Sequence, residues 1–179
     1  EEQPTPLNAR TPLVRAQAAF HEHMLNQDMS PHTIRAFDSD LRILAQHIGE
    51  DAPIGRITTS RLETFLRYLR NQRRVPCKPK SLARRITTLK VFFSWLADEQ
   101  VIDTDPALAL VHYPVSTPLP QVLSDDQVEQ LLIATRSWGQ QAQPPDPRPH
   151  LLVSLLLETG IKKAECMGIA LNDIDASDP

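Results

Sequence analysis

SLARRITTLKVFFSWL, residues 81–96, decides how this chain folds. Leu82, Ile86, Leu89, Phe93 and Leu96 step along it by four, three, four and three, the spacing that lines one face of an α-helix. Phe92 and Trp95 widen that face into a core surface rather than a platform for stacking bases. Arg84, Arg85 and Lys90 lie mostly off the stripe. A helix predicted over about 81–99 therefore has an apolar side and a basic side.

Three more helices are predicted upstream. Leu13, Ala16, Phe20 and Met24 recur at helical spacing within 13–26. Ser30-Pro31 is a start signal, because Ser accepts from first-turn N–H groups and Pro at the first helical position loses no hydrogen bond. Ile34, Phe37, Leu41, Leu44 and Ile48 then share a face, and Gly49 ends the run. Thr59 or Ser60 is the expected cap of a third helix, with Leu62, Phe65, Leu66 and Leu69 inward. The joint core of this small bundle is expected to use Phe20, Ile34, Phe37, Leu41, Leu62, Phe65, Ile86, Leu89 and Phe93.

The division expected along the chain is a loose arm over 1–12, a helical domain over 13–113, a proline-marked linker over 114–120 and a second unit over 121–179. In the second unit Ser124 and Gln127 fit a capping box. Residues 139–149 hold four prolines and read as an exposed loop. The run 151–158 is apolar nearly all round and reads as a buried helix, with Gly160 as its left-handed stop. No sheet is expected.

Charge is localised. Between Arg56 and Lys90 stand eleven bases and one acid, Glu63, although the whole chain is at −3. Such a field suits a polyanion, and a plain solvated surface can look the same. The two cysteines, Cys77 and Cys166, are too few and too far apart for a disulfide scaffold, which fits a cytoplasmic protein. Cys166, in an apolar-periodic stretch, reads as a buried thiol. The apolar run at 151–157 is far shorter than a membrane span, and no signal peptide opens the chain. Without an initiator Met, the sequence reads as a piece of a longer protein.

Several motifs resemble those of the tyrosine recombinases, the phage-integrase family. They are Ser30-Pro31-His32-Thr33-Ile34 running on to Phe37 and Leu41, the stretch at 81–96, and Val101 through Ala107. Further on, Leu119-Pro120 and Leu123 to Leu132 match, as does LLLETGIKKAECMGIALNDID at 155–175. The resemblance covers residues 11–175 and implies a mainly α fold: a four-helix SAM-like core-binding bundle followed by the helical start of a catalytic domain. It implies a clamp around double-stranded DNA, a tyrosine that forms a 3′-phosphotyrosyl link, and a homotetramer in the full-length synaptic complex, with the present piece open to a monomeric state. No cofactor, metal or membrane partner is implied.

Lys162 stands where the family has its first catalytic Arg, with Glu165 in support. Lys supplies the charge of Arg without its planar fork. A lineage active with Lys, a degenerate DNA-binding relative and an altered residue are all compatible with that exchange. Neither Tyr68 nor Tyr113 matches the nucleophile, so this polypeptide alone is expected not to cleave DNA. The expected DNA face comprises Arg61, Arg67, Arg70, Arg73, Arg74, Lys78, Lys80, Arg84, Arg85 and Lys90, with Arg84 and Arg85 placed to reach base edges. A non-catalytic regulator of recombination and a protein-interaction bundle with an acidic partner are the competing expectations.

Overall fold

The computed structural model describes residues 6–72, 75–112 and 119–174. Among them the fold is helical and without a sheet, and it divides into two compact units, Glu1–Thr117 and Pro118–Pro179. The first holds α1 (Leu13–Asn26), α2 (Pro31–Ile48), α3 (Thr59–Asn71) and α4 (Pro79–Asp98). The second holds α5 (Asp125–Gln141), α6 (Arg148–Thr159) and the short α7 (Lys163–Cys166). No helix among the described residues is long and apolar enough to cross a membrane.

The apolar stripes meet as their spacing demands. All nine core residues expected from periodicity are buried, and Phe92 is fully buried beside them. Phe20 of α1 meets the Phe92 ring edge-on at 5.2 Å, and Phe92 meets Phe93 at 5.1 Å. Edge contacts of this kind set the positive ring rim against the negative face and add to the gain from burial.

The termini of the helices explain where they start and stop. Ser30 Oγ accepts from Thr33 N at 3.2 Å, and Pro31 occupies the first helical position. Gly49 leaves α2 at φ 109°, a conformation a side chain would strain. The cap of α3 is Thr58, not Thr59 or Ser60: its hydroxyl accepts from Arg61 N. Thr59 instead donates to the Pro106 carbonyl at 2.8 Å, a contact 47 positions away that local sequence does not show. Likewise α4 starts at Pro79, whose fixed φ suits the first helical turn.

Residues 8–12 are not loose. Ile54 N donates to Thr11 O at 3.0 Å and Gly55 N donates to Ala9 O at 2.9 Å, and Thr11 is buried. A Cβ on Gly55 would lie 2.7 Å from that of Ala9, so this close approach needs glycine. The expected linker is described only at its last residues, since 113–118 lie outside the described set.

In the second unit Ser124 and Gln127 form the capping box, with Ser124 N donating to Gln127 Oε1 at 3.0 Å. The proline-rich loop is tied down: Asp146 N donates to Gly139 O at 2.8 Å and the Asp146 carboxylate grips Arg148 through two bonds of 2.7 and 2.9 Å. Two expectations fail here. No residue of α6 is buried and Cys166 is only half-buried. Among the described residues α6 packs chiefly on α5, with α7 beside it, and no residue of α6 is enclosed.

Phe92→Ala would open the shared aromatic centre of α1 and α4. The expected loss is about 3–5 kcal/mol, read by urea unfolding; an unchanged midpoint would contradict this packing.

Candidate nucleic-acid interface

A carboxylate sits between α2 and α4 where an apolar side chain would be usual. Asp40 is 2% exposed. Its Oδ1 accepts from Arg84 Nη2 at 3.0 Å and from Arg85 Nε at 3.2 Å, and its Oδ2 accepts from Thr88 Oγ1 at 3.1 Å. A buried charge demands partners of this kind. Arg84 Nη1 also donates to the Ala36 carbonyl of α2 at 3.0 Å. Arg85 Nη1 meets the Cys77 sulfur, and Cys77 N donates to Leu69 O at 3.0 Å, so the loop after α3 is drawn into the same cluster.

The two arginines differ. The Arg85 side chain is 10% exposed and belongs to the interior, which corrects the expectation that it reaches a base edge. Local periodicity placed it off the apolar stripe, but Asp40 on the next helix draws it inward. The Arg84 side chain is 41% exposed and emerges at the seam.

Lys80, Arg84 and Thr87 form an exposed row on α4, spaced by four and three. Arg84's bond to Ala36 sets this row beside the outward face of α2, where His32, Arg35, Ser39 and Arg42 are exposed. Arg35 and Arg42 were missed because two scattered arginines raise no charge density. The signal was in the spacing: positions 35, 39 and 42 step by four and three on the side away from Ile34, Phe37 and Leu41.

The other expected site residues lie elsewhere. Arg61 donates to the Arg56 and Ile48 carbonyls at 3.3 and 3.5 Å, closing the chain after α2. Arg67 and Arg70 line a groove of about 440 Å³ with Ala109, Leu110 and Val111. Lys90 is half-buried and donates to Leu108 O at 3.4 Å. Lys78 is exposed just before α4, and Arg73 and Arg74 lie outside the described residues. The expected single surface is thus divided, with Lys80 and Arg84 on one edge and Arg67, Arg70 and Lys90 around the 108–111 segment.

In the second unit Lys162 is 83% exposed, with Nζ 3.6 Å from Glu165 Oε1. Glu165 Oε2 accepts from Lys162 N at 2.9 Å and so closes the start of α7. Among the described residues no group of three or more His, Cys, Asp or Glu could hold a metal ion.

The whole Asp40 cluster falls inside residues 18–100, which match the family described as "Phage integrase, N-terminal SAM-like domain". The chain is 32% identical over 160 residues to "Tyrosine recombinase XerC" of Mycobacterium sp. (strain JLS), covering 89% of this chain and 53% of that protein. It is 32% identical over 157 residues to the protein of that name in Mycobacterium leprae (strain TN), covering 87% and 52%. The chain thus spans about half the length of the curated relatives it matches, and it is homologous to tyrosine recombinases. The "Crystal structure of XerA recombinase" aligns at 22% identity with a TM-score of 0.40, over 91% of this chain and 52% of that one, too loosely to argue from.

Within the matched region, burial pushes the Asp40 carboxyl above its ordinary 3.8, against the pull of the Arg84 charge, the Thr88 hydroxyl and Arg85. The folded state therefore holds this proton more firmly than the unfolded chain does. The stability that this group contributes is full below the ordinary value and is lost as pH rises through the raised one. Urea unfolding of the protein and of Asp40→Asn across that acid range should show the difference between them falling with rising pH; a constant difference would contradict the direction.

Proposed function

We propose that this chain is the DNA-gripping part of a cytoplasmic tyrosine recombinase, and that its first unit holds duplex DNA on the joined outward faces of α2 and α4. The observation that carries this is Arg84, half-exposed on the seam, with Lys80 exposed one turn before it on α4 and its α2 partner Ala36 next in sequence to the exposed Arg35. Phosphates attract such cations without regard to sequence, and they position the duplex. The amino end of α4 adds partial positive charge near Lys80. Arg42 extends the row, and Lys78 stands just before it. Arg67, Arg70 and Lys90 face other ground and contribute less.

The full-length protein in this reading cleaves and rejoins strands through a 3′-phosphotyrosyl intermediate within a homotetramer. Three features support it: the matched domain, the relatives' identity, and a second unit whose Ile133, Trp138 and Leu151 remain exposed, as expected of helices that further chain would cover.

Lys162 favours a second reading, a DNA-binding relative that does not cleave. Set beside Glu165 and lacking the two-pronged donor of arginine, it offers a phosphoryl oxygen a point charge. Strand cleavage by the full-length protein, compared with its Lys162→Arg variant, separates the two.

A salt titration of duplex binding tests the proposed face. Arg84→Ala and Lys80→Ala should each reduce the slope of log affinity against log salt by about 0.9, while Arg67→Ala and Lys90→Ala leave it nearly unchanged. The reverse pattern would move the interface to the α3 side.

A further inference from the structure

We infer that Asp40 is a positioning residue for DNA: buried beneath the surface, it holds Arg84 in one orientation so that a phosphate meets an already ordered guanidinium. This rests on the proposed α2–α4 face and deepens it.

Both carboxylate oxygens of Asp40 are engaged, Oδ1 by the two arginines and Oδ2 by Thr88. Arg84 is held at two points, by Asp40 and by the Ala36 carbonyl, one through each terminal nitrogen. A guanidinium has five N–H donors, so these two bonds leave others for solvent or a ligand. The cluster has two cations to one anion. Arg85 is enclosed with Asp40, so the uncompensated charge emerges at Arg84, 41% exposed. An arginine ordered before binding loses less freedom when the ligand arrives.

Net charge and positioning predict opposite signs for Asp40→Asn. The substitution removes a negative charge near the DNA face, so electrostatics alone predicts tighter binding. Loss of the anchor predicts weaker binding, because Arg84 must then be ordered by the DNA itself.

The test uses the 179-residue chain with a fluorescent random-sequence duplex, each variant checked for folding by circular dichroism. Asp40→Asn should weaken binding by about 2- to 12-fold, the effect of freeing one side chain. In an Arg84→Ala background it should cause no further loss, which a general loss of structure would not reproduce. Arg84→Lys keeps the charge but cannot span both acceptors, and it should also bind several-fold more weakly. Equal or tighter binding by folded Asp40→Asn, or the same loss in both backgrounds, overturns the inference. Should Asp40→Asn fail to fold, Arg84→Lys decides: wild-type affinity overturns the inference and a several-fold loss supports it. A wild-type chain that binds no duplex at low salt overturns the DNA reading and this inference together, whereas normal wild-type binding with a silent Asp40→Asn removes the inference alone.

Discussion

A carboxylate enclosed between α2 and α4 constrains the rest of the first unit. Asp40 cannot remain charged there without donors, and α4 supplies three within little more than one turn, Arg84, Arg85 and Thr88. Apolar stripes alone would tolerate small rotations of one helix on another. A carboxylate meeting two guanidinium groups tolerates far less, because its bonds are directional. The pair is not a clear source of stability, since burial works against the charged form of Asp40. What it supplies is registry: α4 turned so that Arg85 points in, Arg84 points along the seam and Lys80 points out.

The bundle was readable in the sequence because its signals are local. The stripes of α1 to α4, the Ser30-Pro31 start and the Gly49 stop all follow from 3.6-residue periodicity and capping chemistry. Misplaced features depended on distant partners. Thr59 left the capping role for a carbonyl in the 101–110 segment, and residues 8–12 were pinned by the turn at 53–55. Arg85 looked outward by its own helix and was drawn inward by another. Asp40 was legible in part: it stands three residues after Phe37 and four before Leu44, inward by the same period that marks the core. An acid at such a position requires buried cations, and the only adjacent pair of arginines on a helix is Arg84-Arg85 among the described residues. Charge density over 56–90 obscured this, because it counted bases without asking which one an acid had already claimed.

The second unit shows the converse. Its apolar run at 151–158 predicts burial, yet two long helices can hide only the faces they turn to each other. Its conformational signals survive without that burial: the capping box at Ser124 and the left-handed Gly160 both form, because each needs only its neighbours. Lys162 is likewise placed by local chemistry, at the head of α7 with Glu165 bonded back to it.

The side-chain Nε–H signals of Arg84 and Arg85, followed by nuclear magnetic resonance as duplex DNA is added to the 179-residue chain, test the central claim most directly. The account predicts that the Arg84 signal, sharp before DNA arrives because Asp40 already holds it, shifts on binding while the enclosed Arg85 signal stays in place. A stationary Arg84 signal with large changes at Arg67 or Lys90 would contradict it.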